Sequence, residues 1–119
     1  MTRGGEWNIV YYESANRDSP VYEFINDLEA KAKAKMINTL DLLEEYGTTL
    51  GSPHVRKLTG TGVWELRVLG KDSIRVLYVA VSGKTFLLLH GYTKTSQKTP
   101  KKEIKIALAR LKEYRLRKS

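Results

Sequence analysis

Residues 63–92 constrain the fold more than any other stretch, because they read as three β-strands in close succession. Val63–Leu69, Ser73–Val81 and Lys84–Tyr92 are rich in β-branched, leucine and aromatic residues. Their separators, Gly70-Lys71-Asp72 and Ser82-Gly83, carry the turn chemistry of hairpins. Val76–Val81 and Phe86–Leu89 are apolar on both faces, as central strands are. The first turn leaves two registers open. A two-residue turn at Lys71-Asp72 sets Val68 opposite Arg75 and separates Arg67 and Arg75 onto opposite faces of the sheet. A three-residue turn at Lys71-Asp72-Ser73 sets Leu69 opposite Arg75 and puts both arginines on one face.

The remaining segments supply a fourth strand and the helices. Trp7–Tyr12 is a β-branched and aromatic run that reads as the first strand. Ser19-Pro20 is a cap residue followed by proline at the first helical position, and Val21, Phe24, Ile25 and Leu28 then follow at helical spacing. A corner is expected within Glu29–Lys35. A second helix carries Met36, Ile37, Leu40 and Leu43 and stops at Tyr46-Gly47. Residues 47–62 contain five glycines or prolines and read as a loop. Pro100 opens the last helix, with Ile104, Ala107, Leu108 and Leu111 as its apolar stripe. The order is β-α-α-β-β-β-α. It is an α+β arrangement in which a mostly antiparallel four-stranded sheet carries its helices on one face.

Charge narrows the function. Residues 1–93 hold eleven Lys/Arg and eleven Asp/Glu, so the net +8 lies wholly in residues 94–119, where ten basic residues face only Glu103 and Glu113. Charge gathered at one end is a footprint for a polyanion. With no cysteine, a disulfide framework, a thiolate metal site and a cysteine nucleophile are all excluded. Neither a metal nor a cofactor is expected. The start of the chain, Met1–Trp7, shows no apolar signal region, and no stretch reaches the roughly 18 apolar residues of a membrane helix. A cytoplasmic, single-domain protein over residues 1–119 is the expectation.

Four segments in order carry a family resemblance: Trp64-Glu65-Leu66-Arg67, Ser73–Tyr78, His90-Gly91-Tyr92-Thr93-Lys94, and Thr99–Ala107. Together they resemble the RelE/ParE toxin superfamily, in its phage-derived, HigB-like branch. The resemblance runs from about residue 8 to residue 115. It implies a RelE-like fold with two N-terminal helices on one face and a C-terminal basic helix. It also implies a toxin of a type II toxin–antitoxin system: a ribosome-dependent endoribonuclease (an mRNA interferase) that enters the ribosomal A site and blocks translation. The partner it implies is a helix-turn-helix antitoxin. ParE relatives share the fold and poison DNA gyrase, so a non-cleaving fold-mate is the alternative. The chain departs from the branch at Thr95, where a second basic residue often follows.

Metal-free RNA cleavage needs a base for the 2′-hydroxyl, positive charge on the phosphorane-like transition state, and a proton for the leaving oxygen. Arg67 and Arg75 are the candidates for phosphate stabilisation, since guanidinium bridges phosphate oxygens. Lys94, just past the last strand, is the candidate proton-transfer or phosphate-binding group, because neighbouring cations loosen a lysine's proton. His54 is a candidate general acid. Lys57, Lys98, Lys101, Lys102 and Lys105 are candidate RNA-backbone contacts, and Tyr92 a candidate base-stacking residue. His90 is read as a structural histidine, and Trp7 and Trp64 as packing residues.

Overall fold

In the computed structural model, residues 6–68, 70, 73–94 and 98–118 are described; Leu69, the Lys71-Asp72 turn and Thr95 lie outside them. The elements in chain order are β1 (Asn8–Tyr11), α1 (Pro20–Asn26), α2 (Ala30–Tyr46), β2 (Val55–Leu58), β3 (Val63–Arg67), β4 (Ile74–Val81), β5 (Thr85–Thr93) and α3 (Lys101–Lys118). Pro20 opens α1 as expected, and the corner falls at 27–29, so the lysine-rich stretch is already helical in α2. Gly47 ends α2 at φ +57°, a conformation that favours glycine. Its missing side chain also admits the Trp7 indole, which stacks on Phe86 at 4.4 Å.

Five strands form one mixed sheet in the order β1-β5-β4-β3-β2. Three pairings are antiparallel, while β1 joins β5 in parallel. The expected four strands are thus one short. Val55–Leu58, read as loop because glycines and prolines surround it, pairs along β3 as an edge strand. Its burial alternates poorly: Val55 and Leu58 are buried while Arg56 and Lys57 are exposed. An edge strand needs little apolar sequence, which hid this one.

The helices do not share one face. Val21, Ile25, Met36, Leu40 and Leu43 of α1 and α2 pack against Leu66, Val76, Tyr78 and Leu88 on one side of the sheet. Ala107 and Leu111 of α3 pack against Leu58, Val63, Leu77, Leu87 and Leu89 on the other. The doubly apolar central strands require this, since each face must be removed from water. Two members of the expected stripes stay outside: Ile37 is 46% exposed and Leu108 37%. Trp64 is likewise 37% exposed, at the rim of the cleft beside Gly47 and Leu50.

A candidate anion site on the sheet face beside α3

The β3–β4 hairpin places Arg67 directly opposite Arg75, with the Val68 N–H donating to the Ile74 carbonyl at 3.1 Å. This is neither of the two registers weighed from the sequence. It lies two residues from the Leu69–Arg75 pairing, so it keeps that parity and brings both guanidiniums to one face. The same face receives Glu65, two residues before Arg67, and Arg56, which pairs with Glu65 across β2–β3.

On β5 a bulge decides the parity. Leu77 pairs with His90 but Tyr78 pairs with Leu88, leaving Leu89 as the extra residue. Leu87 and Leu89 therefore face α3, and so does Tyr92 beyond the bulge. Gly91 turns the other way, against the ring of Phe24 in α1. Lys94 follows, tied to the hairpin by its own N–H donating to the Ser73 carbonyl at 2.7 Å. Four strands thus converge on one polar patch: Arg56, Glu65 and Arg67, Arg75, and Tyr92 with Lys94.

Glu65 sits at the centre and is fully buried. Its Oε2 accepts from the Tyr92 hydroxyl at 2.8 Å and from the Thr99 hydroxyl at 2.7 Å. Its Oε1 lies 3.8 Å from the Arg75 Nε, an ion pair too long for a hydrogen bond. Arg75 is anchored instead through Nη1, which donates to the Ile74 carbonyl at 2.9 Å. Burial lowers the Arg75 pKa, Glu65 opposes this, and Arg67 adds to the lowering. Burial also lowers the Lys94 pKa; Glu65 opposes, and Arg75, Arg56 and Arg67 push the same way as burial. Lys94 is 8% exposed.

The electrostatic imbalance has a counterpart in hydrogen bonding. Among the described residues, four buried side-chain polar atoms have no hydrogen-bond partner: His54 Nδ1, Glu65 Oε1, Arg67 Nε and Arg75 Nε. Native interiors satisfy nearly all such groups. All four fall in and beside one patch. Guanidinium and ammonium groups of this kind bind phosphate oxygens.

The sequence candidates distribute as follows. Arg67, Arg75 and Lys94 come together. His54 borders them, its carbonyl accepting the Arg67 N–H at 2.8 Å. Lys57 and Lys98 line an open cleft of about 330 Å³ next to the patch, with Arg56, Thr61, Thr99 and Ile104. Lys101, Lys102 and Lys105 are exposed on the first turns of α3. Tyr92 departs from expectation: it is 6% exposed, and its ring is enclosed rather than offered to a base. The bulge that turns it toward α3 buries it against Glu65, whose field and hydrogen bond join burial in raising the phenol pKa.

His90 is structural in placement. Arg110 Nη1 can only donate, so His90 Nδ1 accepts at 3.3 Å and the Nε2–H donates to Glu103 at 2.6 Å. Arg110 also donates to the Leu89 carbonyl at the bulge, at 2.9 Å. Sequence reasoning missed Glu65, Arg56 and Thr99 as site residues. The alternation Glu65-Leu66-Arg67 was a usable signal for the first, because residues two apart on a strand share a face.

Among the described residues no helix is long and apolar enough to cross a membrane. No curated protein matches the chain. A family model, that of the phage-derived Gp49-like proteins (DUF891), matches residues 23–112 and so covers every strand of the arginine patch and most of α3. The chain belongs to this Gp49-like family, a family of RelE/HigB-type toxins of toxin–antitoxin systems.

Proposed function

We propose that this chain is a single-domain, cytoplasmic mRNA endoribonuclease, metal-independent and ribosome-dependent, that blocks translation until an antitoxin restrains it. The observation that carries this reading is the cross-strand pair Arg67–Arg75 beside Lys94, with both Nε–H groups lacking a protein acceptor. In the proposed reaction the 2′-oxygen attacks the adjacent phosphorus as the P–O5′ bond breaks. A cyclic phosphate and a free 5′-hydroxyl result, with one proton leaving the 2′-hydroxyl and one reaching the 5′-oxygen. Arg67 and Arg75 hold the non-bridging oxygens, where charge grows in the transition state. Lys94, its proton loosened by burial and three guanidiniums, serves proton transfer. His54, next to Arg67, supplies the general acid. Lys57 and Lys98 guide the RNA backbone through the cleft, and Lys101, Lys102 and Lys105 face ribosomal RNA. Tyr92, enclosed against Glu65, takes no part in stacking.

A family of toxins implies an antitoxin partner. The proposed partner is a helix-turn-helix protein whose acidic segment lies across the basic face and covers the arginines. The test is induction of the chain and of Arg67→Ala in a tightly regulated bacterial host, following growth and transcript ends by primer extension. Growth arrest with discrete mRNA cuts, both lost in the variant, supports the reading. Arrest with intact transcripts would redirect it to a gyrase-type target, and no arrest from folded protein would leave a non-cleaving binder.

A further inference from the structure

Glu65 is the group that the cleavage chemistry leaves without a role. Its charge is fully buried in a patch otherwise made of Arg56, Arg67, Arg75 and Lys94. A buried carboxylate unfavourably placed would normally be removed from such a patch, because taking an ion out of water is costly unless it is paired. Here the pairing is asymmetric. The two hydroxyls of Tyr92 and Thr99 grip Oε2 from β5 and from the segment before α3, at 2.8 and 2.7 Å. That grip fixes the side chain and leaves Oε1, with no hydrogen bond of its own, toward the Arg75 Nε at 3.8 Å.

We infer that Glu65 is a positioning residue: an internal counter-ion, anchored by Tyr92 and Thr99, that holds the Arg75 guanidinium in place for an RNA phosphate. Without it four cations from four strands would meet with no anion among them. With it the patch is assembled before substrate arrives, and a phosphate oxygen then meets donors that Oε1 leaves without a hydrogen bond. Preorganisation of this kind spares reorganisation at the moment of reaction. The role rests on the cleavage reading for its purpose, but its electrostatic content does not require cleavage.

The groups around Lys94 set the sign of the test. Arg56 from β2, Arg67 from β3 and Arg75 from β4 favour loss of its proton, Glu65 from β3 alone opposes, and Tyr92 on its own strand is a neutral phenol. From α3, Glu103 and Arg110 engage His90. Glu65→Gln keeps the shape and an oxygen for the Tyr92 and Thr99 hydroxyls while removing the charge. The Lys94 titration midpoint, read by NMR of isotope-labelled lysine and assigned by its loss in Lys94→Met, is expected to fall by about one pH unit in the intact chain. Inorganic phosphate, the probe for the arginines, is expected to bind more weakly once the Arg75 guanidinium is no longer held, and tighter binding would make Glu65 a competitor of the phosphate and overturn the inference. Thr99→Val acts on the same carboxylate from its other oxygen. With one donor withdrawn, its charge is less neutralised and Lys94 is expected to titrate higher. The Lys94 shift reads the buried charge, and a residue with a purely structural role would leave phosphate binding to the folded variant unchanged. An unmoved Lys94 midpoint in folded Glu65→Gln, or in Thr99→Val should the first variant not fold, overturns the inference. Both readouts are independent of RNA cleavage, so a chain that cuts no RNA but shows these shifts sinks the cleavage reading and leaves this one standing.

Discussion

Replacing Arg67 by methionine should make the protein more stable while removing its affinity for phosphate. Arg67 faces Arg75 directly across β3 and β4, and like charges in that position destabilise a strand pair by about 0.2–1 kcal/mol. Its Nε is buried without a partner, a deficit worth about 1–3 kcal/mol. Methionine keeps the aliphatic stem that packs on the sheet and removes both penalties. Taking the lower part of these ranges, the variant should gain about 1–2 kcal/mol. At a length of 119 residues that corresponds to a rise in Tm of roughly 4–8 °C. The assay is urea and thermal unfolding in a phosphate-free buffer of low ionic strength, repeated with added inorganic phosphate. Phosphate should stabilise the native protein in proportion to the logarithm of its concentration and stabilise the variant far less. A variant that is less stable than the parent in phosphate-free buffer, with phosphate helping both equally, would refute the reasoning. Arg67 would then be a structural ion-pair member.

The other predictions concern the supports of the patch. Tyr92→Phe withdraws one of two donors from a buried carboxylate and should destabilise by about 1.5–3 kcal/mol in urea unfolding; an unchanged midpoint would remove Tyr92 as an anchor. Gly91→Ala places a β-carbon 2.4 and 2.9 Å from ring carbons of Phe24, so overpacking against α1 should lower stability by about 1–3 kcal/mol in a thermal melt. Burial holds the His90 pKa below the ordinary histidine value, partly offset by Glu103. The unfolded chain therefore binds the proton more readily, and stability should fall as pH drops from about 7.5 to 5.5. Comparing urea midpoints at those two pH values, His90→Asn should show the smaller difference; an equal difference would place the titration elsewhere.

Much of the architecture was legible because it rests on local rules. Pro20, Gly47 and Pro100 punctuate helices by their own backbone limits, and the apolar runs of β4 and β5 announce central strands wherever they occur. The same apolar runs should also have announced two covered faces. Leu77, Val79, Leu87 and Leu89 make up the second face, which α3 on the far side removes from water. Arg67, Arg75 and Lys94 were singled out by residue type and by resemblance, and the structure brings them to one patch.

What the sequence by itself determined, then, is the set of elements and the chemistry available: a strand-rich centre, basic residues gathered at the end, and arginines on neighbouring strands. Only the tertiary structure decided which side chains meet. The Arg67–Arg75 register depends on how a hairpin closes, and one residue of slip would send the guanidiniums to opposite faces. The bulge at Leu89 inverts the parity of β5 and turns Tyr92 to the α3 side, where it is buried against Glu65. Glu65 looked like an ordinary strand carboxylate. Its place among four cations is a property of long-range strand pairing, in which residues from 56 to 94 converge, and no local pattern encodes that distance.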